Sequence, residues 1–116
     1  MLEYLFANKN VEKILIYLLI HEKAYATELS RSFHSALDPI QKTLRKLESG
    51  GLLVSFLEGK TRVFKWNPSY PFLLEIQNLA KKAYEFLPPA TQEKIYKINK
   101  RKRPRKTGKP LWISQR

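Results

Sequence analysis

The chain has 116 residues, of which 43% are apolar, enough for one compact domain and too many for a disordered chain. It holds no cysteine and only two histidines, His21 and His34, which excludes disulfide frameworks, thiol catalysis and cysteine-based zinc sites and argues against a histidine-rich metal site. Lys and Arg outnumber Asp and Glu by 22 to 10, and the excess is uneven: residues 1–88 carry 12 basic and 9 acidic groups, whereas residues 89–116 carry 10 and 1.

In chain order, Val11, Ile14, Leu15 and Leu18 recur at i, i+3, i+4 and i+7, the apolar stripe of an amphipathic helix that Asn8 or Asn10 can cap. His21-Glu22-Lys23 ends it. A shorter helix places Ala26, Leu29 and Phe33 on one face, with Glu28 near the positive end of its dipole. After the turn His34-Ser35-Ala36-Leu37, Asp38 reads as an N-cap, Pro39 as the first helical residue and Gln41 as the residue three beyond the cap. Gly50 reads as the left-handed residue that closes this helix, 38–49. The period then changes to that of strands, Leu52–Leu57 and Thr61–Trp66, joined through Glu58-Gly59-Lys60. Asn67-Pro68 stops the hairpin. A helix over 70–86 carries a wide apolar stripe, Leu87-Pro88-Pro89 breaks it, and a short helix is expected over 91–98. Lys100 to Lys109 reads as an unfolded basic segment.

Function is carried best by helix 38–49. Ile40, Leu44 and Leu47 form a narrow apolar line with Thr43 beside it, and the opposite face presents Lys42, Arg45, Lys46 and Ser49, flanked by Gln41. Arg can bond guanine O6 and N7, and Gln adenine N6 and N7, whereas Lys more often meets phosphate. Ser35, in the turn ahead, is placed with them as a DNA contact. A basic helix face is by itself commonly just a solvated surface. Two helices, a tight turn and a hairpin are the context in which the second helix enters the major groove. Lys60 and Arg62, at and after the hairpin turn, are placed to touch backbone or minor groove, or else to blunt an exposed edge. The expected architecture is mainly α with a small β-hairpin: a winged helix-turn-helix, an extra C-terminal helix and a disordered basic tail. Residues 1–87 make the domain and 88–116 the extension.

From Leu5 to Leu79, about two-thirds of the chain, the sequence resembles the winged-helix regulators of the arsenic-repressor-like (ArsR) superfamily. The resemblance rests on Lys13-Ile14-Leu15, on Glu28-Leu29, on Leu44-Arg45-Lys46-Leu47-Glu48-Ser49-Gly50-Gly51-Leu52-Leu53, and on Gly59-Lys60-Thr61-Arg62-Val63-Phe64. It implies a homodimer paired through terminal helices, here 70–86 and the N-terminal helix, on an inverted-repeat operator, usually as a repressor. The positions matching the family's base-reading residues are Gln41, Lys42 and Arg45. The family's metal sensors use cysteine, or histidine and carboxylate clusters, which this chain lacks, so no metal and no cofactor is expected.

The segment Lys100-Arg101-Lys102-Arg103-Pro104-Arg105-Lys106 suits either a minor-groove arm built on Arg101, Arg103 and Arg105 or a non-specific polyanion clamp. Leu111-Trp112-Ile113 fits an anchor or a frayed terminus. The longest apolar run, Ile14 to Ile20, is far below the roughly 18 residues of a membrane span. The start Met1-Leu2-Glu3-Tyr4 lacks a charged signal-peptide region, so a cytoplasmic, nucleoid-associated protein without membrane contact is expected. Scattered carboxylates and the lack of a phosphate-cradling glycine loop argue against an enzyme. The reading is therefore a sequence-specific regulator of transcription that binds duplex DNA. The alternatives are an architectural or RNA-binding protein driven by the tail, and a protein-interaction module of antitoxin-like kind.

Overall fold

The computed structural model describes Phe6 and residues 8–96. Helix α1 (Lys9–His21) leads into strand β1 (Lys23–Tyr25), helix α2 (Ala26–Phe33) and helix α3 (Leu37–Ser49). Strands β2 (Leu53–Glu58) and β3 (Thr61–Trp66) follow, then helix α4 (Leu73–Phe86) and a helical turn, Pro89–Thr91, that widens to a π-helical turn at Gln92–Tyr96. The protein is thus mainly helical with a small antiparallel sheet. That sheet has three strands in the order β1-β3-β2, not the two of the expected hairpin. The missed strand is Lys23-Ala24-Tyr25, which pairs with Lys65, Phe64 and Val63 of β3. Three residues are too few to show a period, but only Ala24 of the three faces inward.

Helix α1 is the central post. Its side chains from Ile14 to Leu18 are all buried, Ile16 and Tyr17 included, so it is enclosed on more sides than an amphipathic stripe implies. Asn8 is its cap: the side-chain oxygen accepts from the Asn10 N–H at 2.8 Å, and the Asn8 amide donates to Thr43 Oγ1 at 3.4 Å. Thr43 in turn donates to the Pro39 carbonyl at 2.9 Å, so the start of α1 is tied to α3. Tyr17 donates to Glu28 Oε2 at 2.7 Å, joining α1 to the first turn of α2. Trp66 Nε1 reaches the Leu18 carbonyl at 3.3 Å and joins α1 to β3.

Both ends of α3 differ from expectation. The N-cap is Ala36, which makes Leu37 the first helical residue and puts Asp38 and Pro39 inside the first turn; Asp38 caps nothing. Proline is tolerated there because N–H groups of the first turn have no intrahelical acceptor to lose. At the other end Gly50 is right-handed (φ −80°) and Gly51 is left-handed (φ +90°). The Leu52 N–H bonds the Leu47 carbonyl at 3.1 Å and the Gly51 N–H bonds that of Glu48 at 3.0 Å, a Schellman motif with Gly51 at its left-handed position. Asn67 then donates to the Gly51 carbonyl at 2.7 Å, fastening the exit of the hairpin to the end of α3. In α2, His34 takes the same left-handed place (φ 54°). The β2–β3 turn carries its positive φ at Gly59 (65°), the first central residue, as a type II′ hairpin requires.

Helix α4 starts at Leu73, later than the expected 70, because Pro71 and Phe72 are spent in a turn. Its inner face buries Ala80 and Ala83. Between Leu87 and Tyr96 the chain stays on the body. Gln92 donates its side-chain amide to the Tyr84 and Leu87 carbonyls at 2.9 and 3.1 Å. The Tyr96 ring is buried edge-on to Phe33 and Tyr84, and the Tyr96 carbonyl meets His21 Nε2 at 2.6 Å. Arg101, Arg103, Arg105 and Leu111-Trp112-Ile113 lie outside the described residues.

Two outcomes follow. Gly51→Ala forces an L side chain into the left-handed region and should destabilise by roughly 1–2 kcal/mol. Gly50→Ala meets only ordinary contacts and should shift stability by less than about 0.5 kcal/mol in urea denaturation. Burial holds the His21 imidazole below its ordinary 6.5, with the Tyr96 hydrogen bond opposing. The unfolded chain therefore binds the extra proton first, so stability is whole above about pH 6.5 and declines as pH falls below it. Urea midpoints of the wild type and His21→Gln, compared from pH 8 to 5, should show that decline only in the wild type.

Candidate nucleic-acid interface

Helix α3 turns a dry back to the core and a charged front to solvent. Ile40 and Leu44 are fully buried and Thr43 is nearly so, while Lys42, Arg45, Lys46 and Ser49 are exposed and Gln41 is half-buried. This division follows from the helix period: residues 40, 44 and 47 stack on one side, and 38, 42, 45 and 49 on the other. Core burial of the back fixes the direction of the front.

Between α3 and the sheet lies an open cleft of about 480 Å³. Gln41 and Arg45 line it from α3, Lys60 and Arg62 from the β2–β3 hairpin, and Tyr25 and Thr27 from the start of α2. Four of the residues singled out in the sequence therefore converge here from two separate elements, α3 and the β2–β3 hairpin. The sheet brings them together because β3 runs beside β1, whose last residue, Tyr25, opens α2.

The two walls are linked by a relay. Ser55 Oγ donates to Glu48 Oε2 at 2.7 Å, and Arg62 Nη1 donates to Ser55 Oγ at 3.0 Å. The single hydroxyl proton of Ser55 goes to the carboxylate, leaving its lone pairs for the guanidinium. Arg62 is thereby held over β2, facing α3, where a free arginine would sweep a wide volume. Sequence reasoning gave no contact role to Glu48, Ser55, Tyr25 or Thr27, whose roles depend on packing between elements far apart in the chain.

The other expected residues stand apart from the cleft. Lys42 sits on the outer face of α3, 3.4 Å from Asp38 one turn earlier, with both side chains mostly exposed. Lys46 is exposed and does not line the cleft. Ser35 is half-buried and its backbone is committed: its N–H bonds the Ser30 carbonyl at 3.0 Å, and its own carbonyl accepts from Ser30 Oγ at 2.6 Å. It shapes the turn before α3. Among the described residues no group of three His, Asp or Glu side chains could hold a metal ion, and no helix is long and apolar enough to cross a membrane. Comparison with protein families, with curated proteins and with solved structures gives no match.

The relay should be stronger on one side than the other. In double-mutant cycles followed by urea denaturation, the half-buried Glu48–Ser55 pair (Glu48→Gln, Ser55→Ala) should couple by about 1 kcal/mol. The exposed Ser55–Arg62 pair (Ser55→Ala, Arg62→Ala) should couple by less than about 0.5 kcal/mol.

Proposed function

We propose that this chain is a winged helix-turn-helix protein that binds duplex DNA and reads its sequence, acting as a regulator of transcription. In this reading α2 and α3 are the helix-turn-helix, α3 is the recognition helix and the β2–β3 hairpin is the wing. The observation that supports it most is the convergence of Gln41 and Arg45 of α3 with Lys60 and Arg62 of the hairpin on one open cleft. A helix laid in a major groove would present Arg45 and Gln41 to base edges, while the wing residues meet the flanking backbone.

The order of elements agrees with this assignment, as does the tight turn 34–36 between the two helices. Charge has a supporting part: Lys42 and Lys46 on the exposed face of α3, and the basic segment around Arg101, Arg103 and Arg105, would release counterions from phosphate. We place RNA second because the deep, narrow major groove of an RNA duplex does not admit a helix such as α3.

A homodimer through α4 is part of the same reading. Three large apolar side chains stay on the surface of this helix: Phe72 at its N-cap, Leu74 in its first turn and Phe86 at its last residue, 59%, 64% and 67% exposed. Two copies paired through α4 would bury these side chains and set two recognition helices on two half-sites. Helix α1, expected to share the interface, has Ile14 to Leu18 buried within the protomer, so α4 would supply most of the pairing surface.

Arg45→Ala is the direct test. On a preferred duplex it should lower discrimination at one base pair by roughly 1–3 kcal/mol and leave the other positions as they were. Competition binding with single base-pair substitutions reads this. An equal loss on every sequence, or a preference for RNA duplex of the same length, would sink the proposal.

A further inference from the structure

The same face of α3 holds a group that the sequence reading used up as a helix cap. With the N-cap at Ala36, Asp38 is the second helical residue and bonds no backbone N–H at the helix start. Asp38, Lys42, Arg45 and Ser49 recur at i, i+4, i+7 and i+11, and all four are exposed. Asp38 thus heads the outward line of the helix, opposite Ile40 and Leu44. Its side chain is 69% exposed, and its partner is Lys42 Nζ at 3.4 Å, itself on a 71% exposed chain. An exposed pair of this kind contributes little to stability and opens readily.

An acid at the head of a helix that approaches DNA disfavours binding in general, because it faces phosphate. It favours binding only where a donor waits for it. A carboxylate accepts hydrogen bonds and donates none. In the major groove guanine presents two acceptors, and thymine presents an acceptor and a methyl group. Adenine presents an amine next to an acceptor, and cytosine presents its N4 amine. Cytosine is the base that suits a carboxylate without opposing it. N-terminal residues of a recognition helix are also the ones that reach base edges.

We propose that Asp38 is a specificity-determining residue that accepts a hydrogen bond from the N4 amine of one cytosine and so selects a C·G pair at one position of the site. The inference rests on the DNA-reading role of α3 given above. On binding, Asp38 exchanges its bond to Lys42 for one to the base, and the Lys42 ammonium is released to a neighbouring acceptor. An acid in the first turn also favours the helix dipole, but that effect is blind to base sequence.

The test uses full-length wild type, Asp38→Asn and Asp38→Ala on the duplex that the wild type enriches, with every base pair substituted in turn at fixed salt. Thermal melting of each variant verifies that it folds. The wild type should prefer C·G at one position by roughly five- to a hundredfold. Asp38→Ala should flatten that position alone. Asp38→Asn, which gains a donor beside its acceptor, should move the preference there to adenine, a change that loss of a structural role cannot produce. If both variants keep the wild-type preference at every position, binding all duplexes uniformly better or worse, Asp38 is only a charge on the helix end and the proposal is wrong. If the wild type enriches no duplex, the reading of α3 fails and this inference with it.

Discussion

Burial of α1 is the constraint on which the other elements depend. Ile14, Ile16 and Leu18 are fully buried, and each such side chain contributes about 1.5–3 kcal/mol relative to exposure. A helix enclosed this fully must be covered on several sides, and each covering element bonds to it by a different group. Asn8 at its start holds Thr43 of α3, Tyr17 holds Glu28 of α2, the Leu18 carbonyl receives Trp66 of β3, and His21 meets the Tyr96 carbonyl. The angle between α3 and the hairpin, and with it the cleft, is thus set from behind. Arg45 and Arg62 line one cleft because Leu44, next to Arg45, is fully buried, and because Phe64, two residues beyond Arg62 and so on the same face of β3, is buried against the core.

Charge has a narrower role than the composition suggests. The described body is nearly balanced, and the front of α3 carries Asp38 and Glu48 among its cations. What distinguishes the cleft is order: Glu48 and Ser55 bias where the Arg62 guanidinium sits, so in the proposed complex less freedom would be lost when it meets phosphate. A uniform basic patch would bind more tightly to every polyanion and choose less among them.

The element order, the cationic front of α3 and the hairpin were legible in the sequence because each is written in a period of several residues. The misreadings are of single residues or of distant contacts. Asp38-Pro39 imitates a cap because proline suits any first-turn position, and nothing local shows that Ala36 precedes the helix. Gly50 and Gly51 are equivalent as text; the bonds from Leu52 and Gly51 back into α3 decide which turns left-handed. Strand β1 is defined by its partners in β3, and Tyr96 by Phe33 and Tyr84, all far away in the chain. The relay through Ser55 has no local signature, since a serine in a strand is ordinary until a glutamate and an arginine flank it in space.

The measurement that bears most directly on the central claim is enrichment of random duplex DNA on the purified full-length protein at near-physiological salt. The account predicts an inverted repeat, with half-sites one or more helical turns apart, as two copies of α3 paired through α4 would demand. Retention of duplexes without a shared motif would contradict it and transfer the binding to the basic segment after residue 96.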